Sequence, residues 1–245
     1  MNILSLAFNT ILYKPLLNGL IFLYQHIPGH DFGIAVIILT LVIRLILHPS
    51  SVRGVKSQRA LTKLQPKIQE IQKEYKDDKN KQTKLLMELY QKEKINPFSG
   101  CLPMLLQLPV LIALYQVFLR GLNPESLSVS LYGFVNNPGL INFSFLGIIT
   151  LTESNIFLAL LAGILQFYQL KISTNPKPKV ESKGSDFSKT MQSQMIYFFP
   201  LFTVYIVWQF GSIIGLYWII SILFSIAEQY IVARKEPKQE IKKYV

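Results

Sequence analysis

The chain has 245 residues, half of them hydrophobic, with a mean hydropathy of +0.32 and a net charge of +11 from 25 Lys and Arg against 14 Asp and Glu. Five long apolar stretches in a chain of this size exclude a soluble enzyme and a disordered polymer, and place it among all-α integral membrane proteins. The single cysteine, Cys101, excludes a disulfide framework and a thiol metal cluster; its expected role is a small buried apolar side chain. No cofactor and no metal is expected.

In chain order, residues 1–30 form an extracytoplasmic N-terminus without the basic n-region and cleavage site of a signal peptide. Residues 3–24 are apolar but interrupted by Asn9, Lys14, Pro15 and Asn18, which predicts an interfacial helix on the outer surface. A sixth span is the alternative, and it would bring Lys14 near the membrane centre. Residues 31–235 carry five expected spans, at about 31–50, 98–120, 154–171, 192–210 and 213–233, several of them near the lower limit of about 17 to 20 residues. Pro49 begins a new turn or kinks the first of them. Between spans one and two, residues 51–96 predict a cytoplasmic helical hairpin. Leu61, Leu64, Ile68, Ile71 and Tyr75 repeat at steps of three and four, Lys76 to Asn80 read as a turn, and Leu85, Leu86, Leu89 and Tyr90 continue on the return helix. Residues 173–190 have the Pro, Lys and Ser content of a mobile connection, residues 140–151 suit an outer surface position, and residues 236–245 form a basic cytoplasmic tail.

Orientation follows from the cations. Residues 49–96 hold twelve Lys and Arg, residues 173–190 four and residues 233–245 five, whereas residues 121–154 hold none. Positive loops stay inside, so the hairpin and C-terminus are cytoplasmic and the N-terminus is outside, as an odd number of spans requires.

Arg44 stands inside the apolar run Phe32 to Leu47. A charge at the centre of a spanning helix costs roughly 2.5 to 3.5 kcal/mol on insertion scales, so it faces a partner or a wet cavity, or snorkels to the inner headgroups. Thr40 shares its face; Asn155, Gln166 and Gln169 share one on span three; Tyr217, Ser221, Phe224 and Glu228 step by four, three and four along span five. Unpaired polar groups are costly in hydrocarbon, so these stripes are expected to face one another or a wetted groove. Each has a plainer alternative. Gln107, Gln116, Gln166 and Gln169 also suit hydrogen bonding between helices, Glu228 suits an ion pair with Arg234 or Lys235, and Tyr217 and Trp218 suit an interfacial aromatic belt.

Asn96 to Pro103, followed by Leu106-Gln107-Leu108-Pro109-Val110 and Ala113-Leu114-Tyr115, resembles the second core span of the YidC/Oxa/Alb membrane protein insertases. Thr40 to Arg44 with Pro49, Met191-Gln192 with Met195 and Phe199-Pro200-Leu201, and Gly215-Leu216-Tyr217-Trp218 fall in the family's order. The resemblance covers about residues 10–235 and implies the five-span core without a large extracytoplasmic domain. It departs at Gly211-Ser212-Ile213-Ile214, where the family usually has a proline and a small residue, and at Ile222, where an Asn is frequent. The turn before span five is therefore where a difference is expected.

The resemblance implies insertion and folding of nascent membrane proteins without covalent chemistry. Arg44 would be the positive anchor of a groove open to cytoplasm and lipid. Thr40, Gln107, Gln166 and Gln169 would line it, and Leu108, Leu111, Tyr217 and Trp218 would guide the client's apolar helix; Glu228 is a groove residue or one half of an ion pair. Implied partners are nascent membrane proteins, membrane lipids, the ribosome, the signal recognition particle receptor and the Sec translocon, with no direct DNA binding. The implied location is a bacterial inner membrane. The alternative class is a small anion-binding transporter or channel, which predicts an inverted repeat that the sequence does not display.

Overall fold

The computed structural model describes residues 3–96, 102–173 and 186–235. Cys101, most of the Asn96 to Pro103 motif, the connection over 174–185 and the tail over 236–245 lie outside the described residues.

The molecule is a helical membrane protein. It begins with α1 (Ile3–Phe8), a π-helical turn (Asn9–Tyr13) and α2 (Lys14–His26), which run on as one rod. The π turn falls just ahead of Pro15, whose missing N–H disrupts the regular ladder at that point. After a short turn, α3 (Phe32–Glu74) starts at Asp31, whose carboxylate accepts the Ile34 amide at 2.9 Å. An acidic N-cap of this kind is worth about 1 kcal/mol.

Helix α3 runs 43 residues through both Pro49 and Pro66. The expected junction between span and hairpin at residue 50 is therefore not a break. At 1.5 Å per residue the helix is about 65 Å long, so roughly half of it must project beyond a ~30 Å hydrocarbon core. The projecting half pairs with α4 (Lys79–Lys92), burying Leu64 and Ile68 of the expected seam. Asp78 caps α4 through the Lys81 amide, Gln82 donates to the Gln72 carbonyl across the turn, and Lys67 meets Glu93 at 2.8 Å.

Helix α5 (Leu102–Gln116) ends in a π turn (Val117–Gly121). The loop that follows holds α6 (Pro124–Ser130) and a β-hairpin, β1 (Ser144–Phe145) antiparallel to β2 (Ile149–Thr150), which the all-α reading did not anticipate. Helices α7 (Ile156–Ser173), α8 (Asp186–Phe210) and α9 (Ser212–Lys235) complete the bundle. By length and composition Ser5–His26, Phe32–Glu74, Ile156–Ser173 and Ser212–Arg234 are long and apolar enough to cross a membrane, and Ile196–Phe210 is a shorter apolar helix.

Two glycines set the packing of the C-terminal half. Gly163 lets α7 approach α8, since a Cβ there would overlap a Val204 methyl and stand 3.2 Å from the Pro200 carbonyl. Gly211, at φ 90°, makes the turn between α8 and α9 in a conformation that side chains rarely adopt. The Ser212 amide and hydroxyl both donate to the Glu153 carbonyl, and the Ile213 amide donates to Leu151. The segment that departs from the family pattern is thus pinned to the loop ahead of α7.

Candidate functional site

Helices α3 and α9 pack along each other through the centre of the bundle. Helix α5 joins on the α3 side, whereas α7 packs on α9 and carries α8 outside it. A polar residue from each flank reaches neighbouring positions of α9: Gln107 of α5 donates to the Tyr217 phenol, and Trp218 donates its indole N–H to Gln166 of α7 at 3.1 Å. Gln166 in turn donates to Gln169 at 3.1 Å. These side chains hold the helices together, because hydrogen bonds across helices satisfy groups that lipid cannot.

Arg44 lies twelve residues into α3, about 18 Å from its first residue at 1.5 Å per residue, past the middle of a ~30 Å core. Ser225, thirteen residues into α9, is at matching depth and accepts from the Arg44 Nη1 at 3.3 Å. The guanidinium is also within Coulombic reach of Tyr217 and Glu228, and its Nε is buried with no hydrogen-bond partner among the described residues. Among the described residues five donors meet one hydrogen-bond acceptor, which leaves capacity for water or an incoming carbonyl or carboxylate.

Glu228 is 1% exposed. Its carboxylate accepts from His48 Nδ1 at 2.5 Å and from the Ser51 hydroxyl at 2.5 Å. Charge-assisted hydrogen bonds are short, and both tie α9 to α3 one to two turns beyond Arg44. His48, Ser51 and Ser225 were not singled out from the sequence. The available signal was spacing, since 44, 48 and 51 fall on one helical face and Ser225 follows Ser221 by four.

Other expected residues sit elsewhere. The Thr40 hydroxyl is 1% exposed and donates to the Val36 carbonyl of its own helix at 2.6 Å. The Asn155 side chain caps α7 by accepting the Phe157 and Leu158 amides. Leu108 is exposed, and Leu111 is partly buried against the main core. At the far end from the basic hairpin, Tyr115 of α5 meets Phe210 of α8 edge to face at 5.2 Å, over buried Leu151, Ile213 and Ile214. Among the described residues no group of three or more His, Cys, Asp or Glu stands together.

A family model described as 60Kd inner membrane protein matches residues 22–239. The chain belongs to that family. Curated relatives carry the name membrane protein insertase YidC: those of Francisella tularensis subsp. novicida (strain U112), subsp. tularensis (strain WY96-3418) and subsp. holarctica (strain FTNF002-00 / FTA) are each 33% identical over 204 residues. That alignment covers 83% of this chain and 33% of each relative, so the chain spans about one third of their length. In the frame of the 60Kd inner membrane protein family, Arg44, Gln107, Gln166, Tyr217 and Trp218 all lie within the matched region.

Proposed function

We propose that the chain is a membrane protein insertase whose five core spans, contributed by α3, α5, α7, α8 and α9, shape a groove open to the cytoplasm and to lipid. The observation that carries this reading is the arrangement around α9: α5 and α7 each reach it with a glutamine, and Arg44 of α3 meets it at Ser225 with unfilled donor capacity. The aromatic pair Tyr115 and Phe210 would close the groove toward the outside. Arg44 lowers the cost of bringing water, backbone carbonyls and the carboxylates of a short client tail to this depth. Leu108, Leu111, Tyr217 and Trp218 guide the client's apolar helix, and transfer of that helix into lipid drives release. Thr40 and Glu228 serve from the walls, Thr40 by packing and Glu228 by fixing α9 on α3.

The orientation we infer puts the basic hairpin in the cytoplasm and the loop over 121–154 outside, in the inner membrane of a bacterium. The rod over residues 3–26 then lies on the outer interface. Asn18 donates to the Ser130 carbonyl and accepts the Tyr132 amide, the Tyr24 phenol accepts the Asn142 amide, and Gln25 donates to the Asn136 carbonyl. A helix that touches one loop from Asn18 to Gln25 runs beneath that loop rather than away from it. The clients are nascent membrane proteins, and the ribosome, the signal recognition particle receptor and the Sec translocon are the partners that the cytoplasmic hairpin and the spans would meet.

Reconstitution in liposomes tests the reading. The protein should raise insertion of a single-span client with a short acidic tail, Arg44→Lys should keep part of that activity, and Arg44→Ala should lose it for acidic tails first. Anion flux without client insertion would favour the transporter class instead, and full activity of Arg44→Ala would remove Arg44 from the mechanism.

A further inference from the structure

We propose that the β1–β2 hairpin is a lipid-anchoring finger whose tip, formed by Leu146, Gly147 and Ile148, inserts into the bilayer interface of the leaflet opposite the basic helical hairpin. Neither the insertase reading nor the assignment of that leaflet as the outer one is needed for it.

The tip's depth is set by Asp31. One carboxylate oxygen caps α3 through the Ile34 amide, and the other accepts the Leu146 amide at 2.6 Å. The Phe145 ring rests on Gly33, where a Cβ would overlap it. The hairpin is thus held against the first turn of the first span, and that turn marks where apolar sequence enters the membrane. Side chains leaving the tip here meet the boundary between headgroups and acyl chains.

What leaves the tip is apolar. Leu146 is 59% exposed and Ile148 83%, and Leu140 in the same loop is 93% exposed. The backbone makes the choice of residue more telling: Leu146 sits at φ 52° and Gly147 at φ 67°, a left-handed turn that Gly, Asn or Asp forms readily and leucine rarely does. In water an Asn at this position would be both less strained and better solvated. A leucine gains only where its side chain meets an apolar medium outside the protein.

The surroundings favour lipid as that medium. Residues 121–154 hold no Lys or Arg to fix the loop in anionic headgroups or on an acidic partner, and the rod that packs under the same loop exposes apolar residues of its own at Ile11 and Phe22. With no cations to add electrostatic attraction, the apolar area buried at the boundary of headgroups and acyl chains supplies the binding.

Site-directed nitroxides on the full chain in liposomes test the proposal. Labels are placed at Leu146→Cys and Ile148→Cys in a Cys101→Ser background, with Asn137→Cys as the reference on the same loop. Oxygen, which concentrates in lipid, should relax the label at 146 and 148 more than a water-soluble nickel chelate does, and the order should reverse at 137. Equal nickel access at 148 and 137 would put the tip in water, and low access to both reagents would put it against protein; either result overturns the proposal. Hydrogen exchange at the Leu146 amide reports whether the label leaves the Asp31 clamp intact. If it does not, Ile148→Trp read by brominated-phospholipid quenching replaces it: quenching of the added indole supports the anchor, and its absence refutes it.

Discussion

The bond set around Glu228 yields a prediction in which the carboxylate is worse than useless once its partners go. The carboxylate is 1% exposed and holds α9 to α3 through two hydrogen bonds, one from Ser51 and one from a His48 side chain that is 42% exposed. Hydrogen bonds to charged groups contribute roughly 1.5 to 3 kcal/mol each. Ser51→Ala therefore costs about that much, and His48→Ala falls at the low end because water reaches the vacated side. With both replaced, Glu228 becomes a buried carboxylate without its two hydrogen bonds, left with only the longer-range attraction of Arg44, for which about 3 to 5 kcal/mol is lost. Replacing the acid as well, in His48→Phe/Ser51→Ala/Glu228→Leu, should recover most of that loss, since apolar substitutes for a buried polar set are often neutral. At about 2 to 4 °C per kcal/mol for a chain of this size, the double variant should melt roughly 6 to 20 °C below the wild type. The triple variant should melt above the double. Thermal unfolding in detergent, followed by Trp208 and Trp218 fluorescence, measures the series. A double variant within about 3 °C of wild type, or a triple variant less stable than the double, would refute the reasoning.

Gly163→Ala should destabilise although alanine is the better helix former by about 1 kcal/mol: the new methyl overlaps a stiff Val204 side chain, and overpacking costs roughly 1 to 3 kcal/mol. Val204→Ala in the same chain should restore the melting temperature. Asn18→Leu leaves the Tyr132 amide and the Ser130 carbonyl without their partner, so amide exchange over 130–132 should accelerate while α3 stays protected. In the hairpin of α3 and α4, a hydrogen bond to Glu74 and its charge hold the Tyr75 phenol above its ordinary value, and burial raises Tyr90. The fold prefers the neutral phenol in both, so any stability they add is present below the ordinary value near ~10 and is lost as pH rises through the raised one. With ¹³C-tyrosine NMR, Glu74→Gln should lower the Tyr75 midpoint and leave Tyr90 unmoved.

Much of the chain was legible because lipid imposes simple rules on sequence. The apolar runs fix which segments are helical, since backbone groups in hydrocarbon must be satisfied within the segment. The cations of residues 49–96 mark the end of the bundle from which the hairpin projects. The three-four seam over Leu64 and Ile68 announces the packing of α3 on α4. Spacing also placed Arg44, Gln166, Tyr217 and Glu228 on definite faces.

Spacing does not say what a face meets. That Gln107 and Gln166 approach adjacent residues of α9 from opposite flanks, that Ser225 stands level with Arg44, and that Glu228 meets His48 and Ser51 are products of how the helices cross. Asn155 shows the same limit from the other side, because its spacing put it with Gln166 while the end of the helix claimed its side chain as a cap. The hairpin tip at Leu146 depends on a carboxylate 115 residues earlier. The sequence by itself determined which segments are apolar enough for a membrane and which residues are too polar to be there alone, since transfer free energy is a property of each residue. Only the tertiary structure decided which polar groups satisfy one another, because a hydrogen bond is made across distances that helical periodicity does not encode.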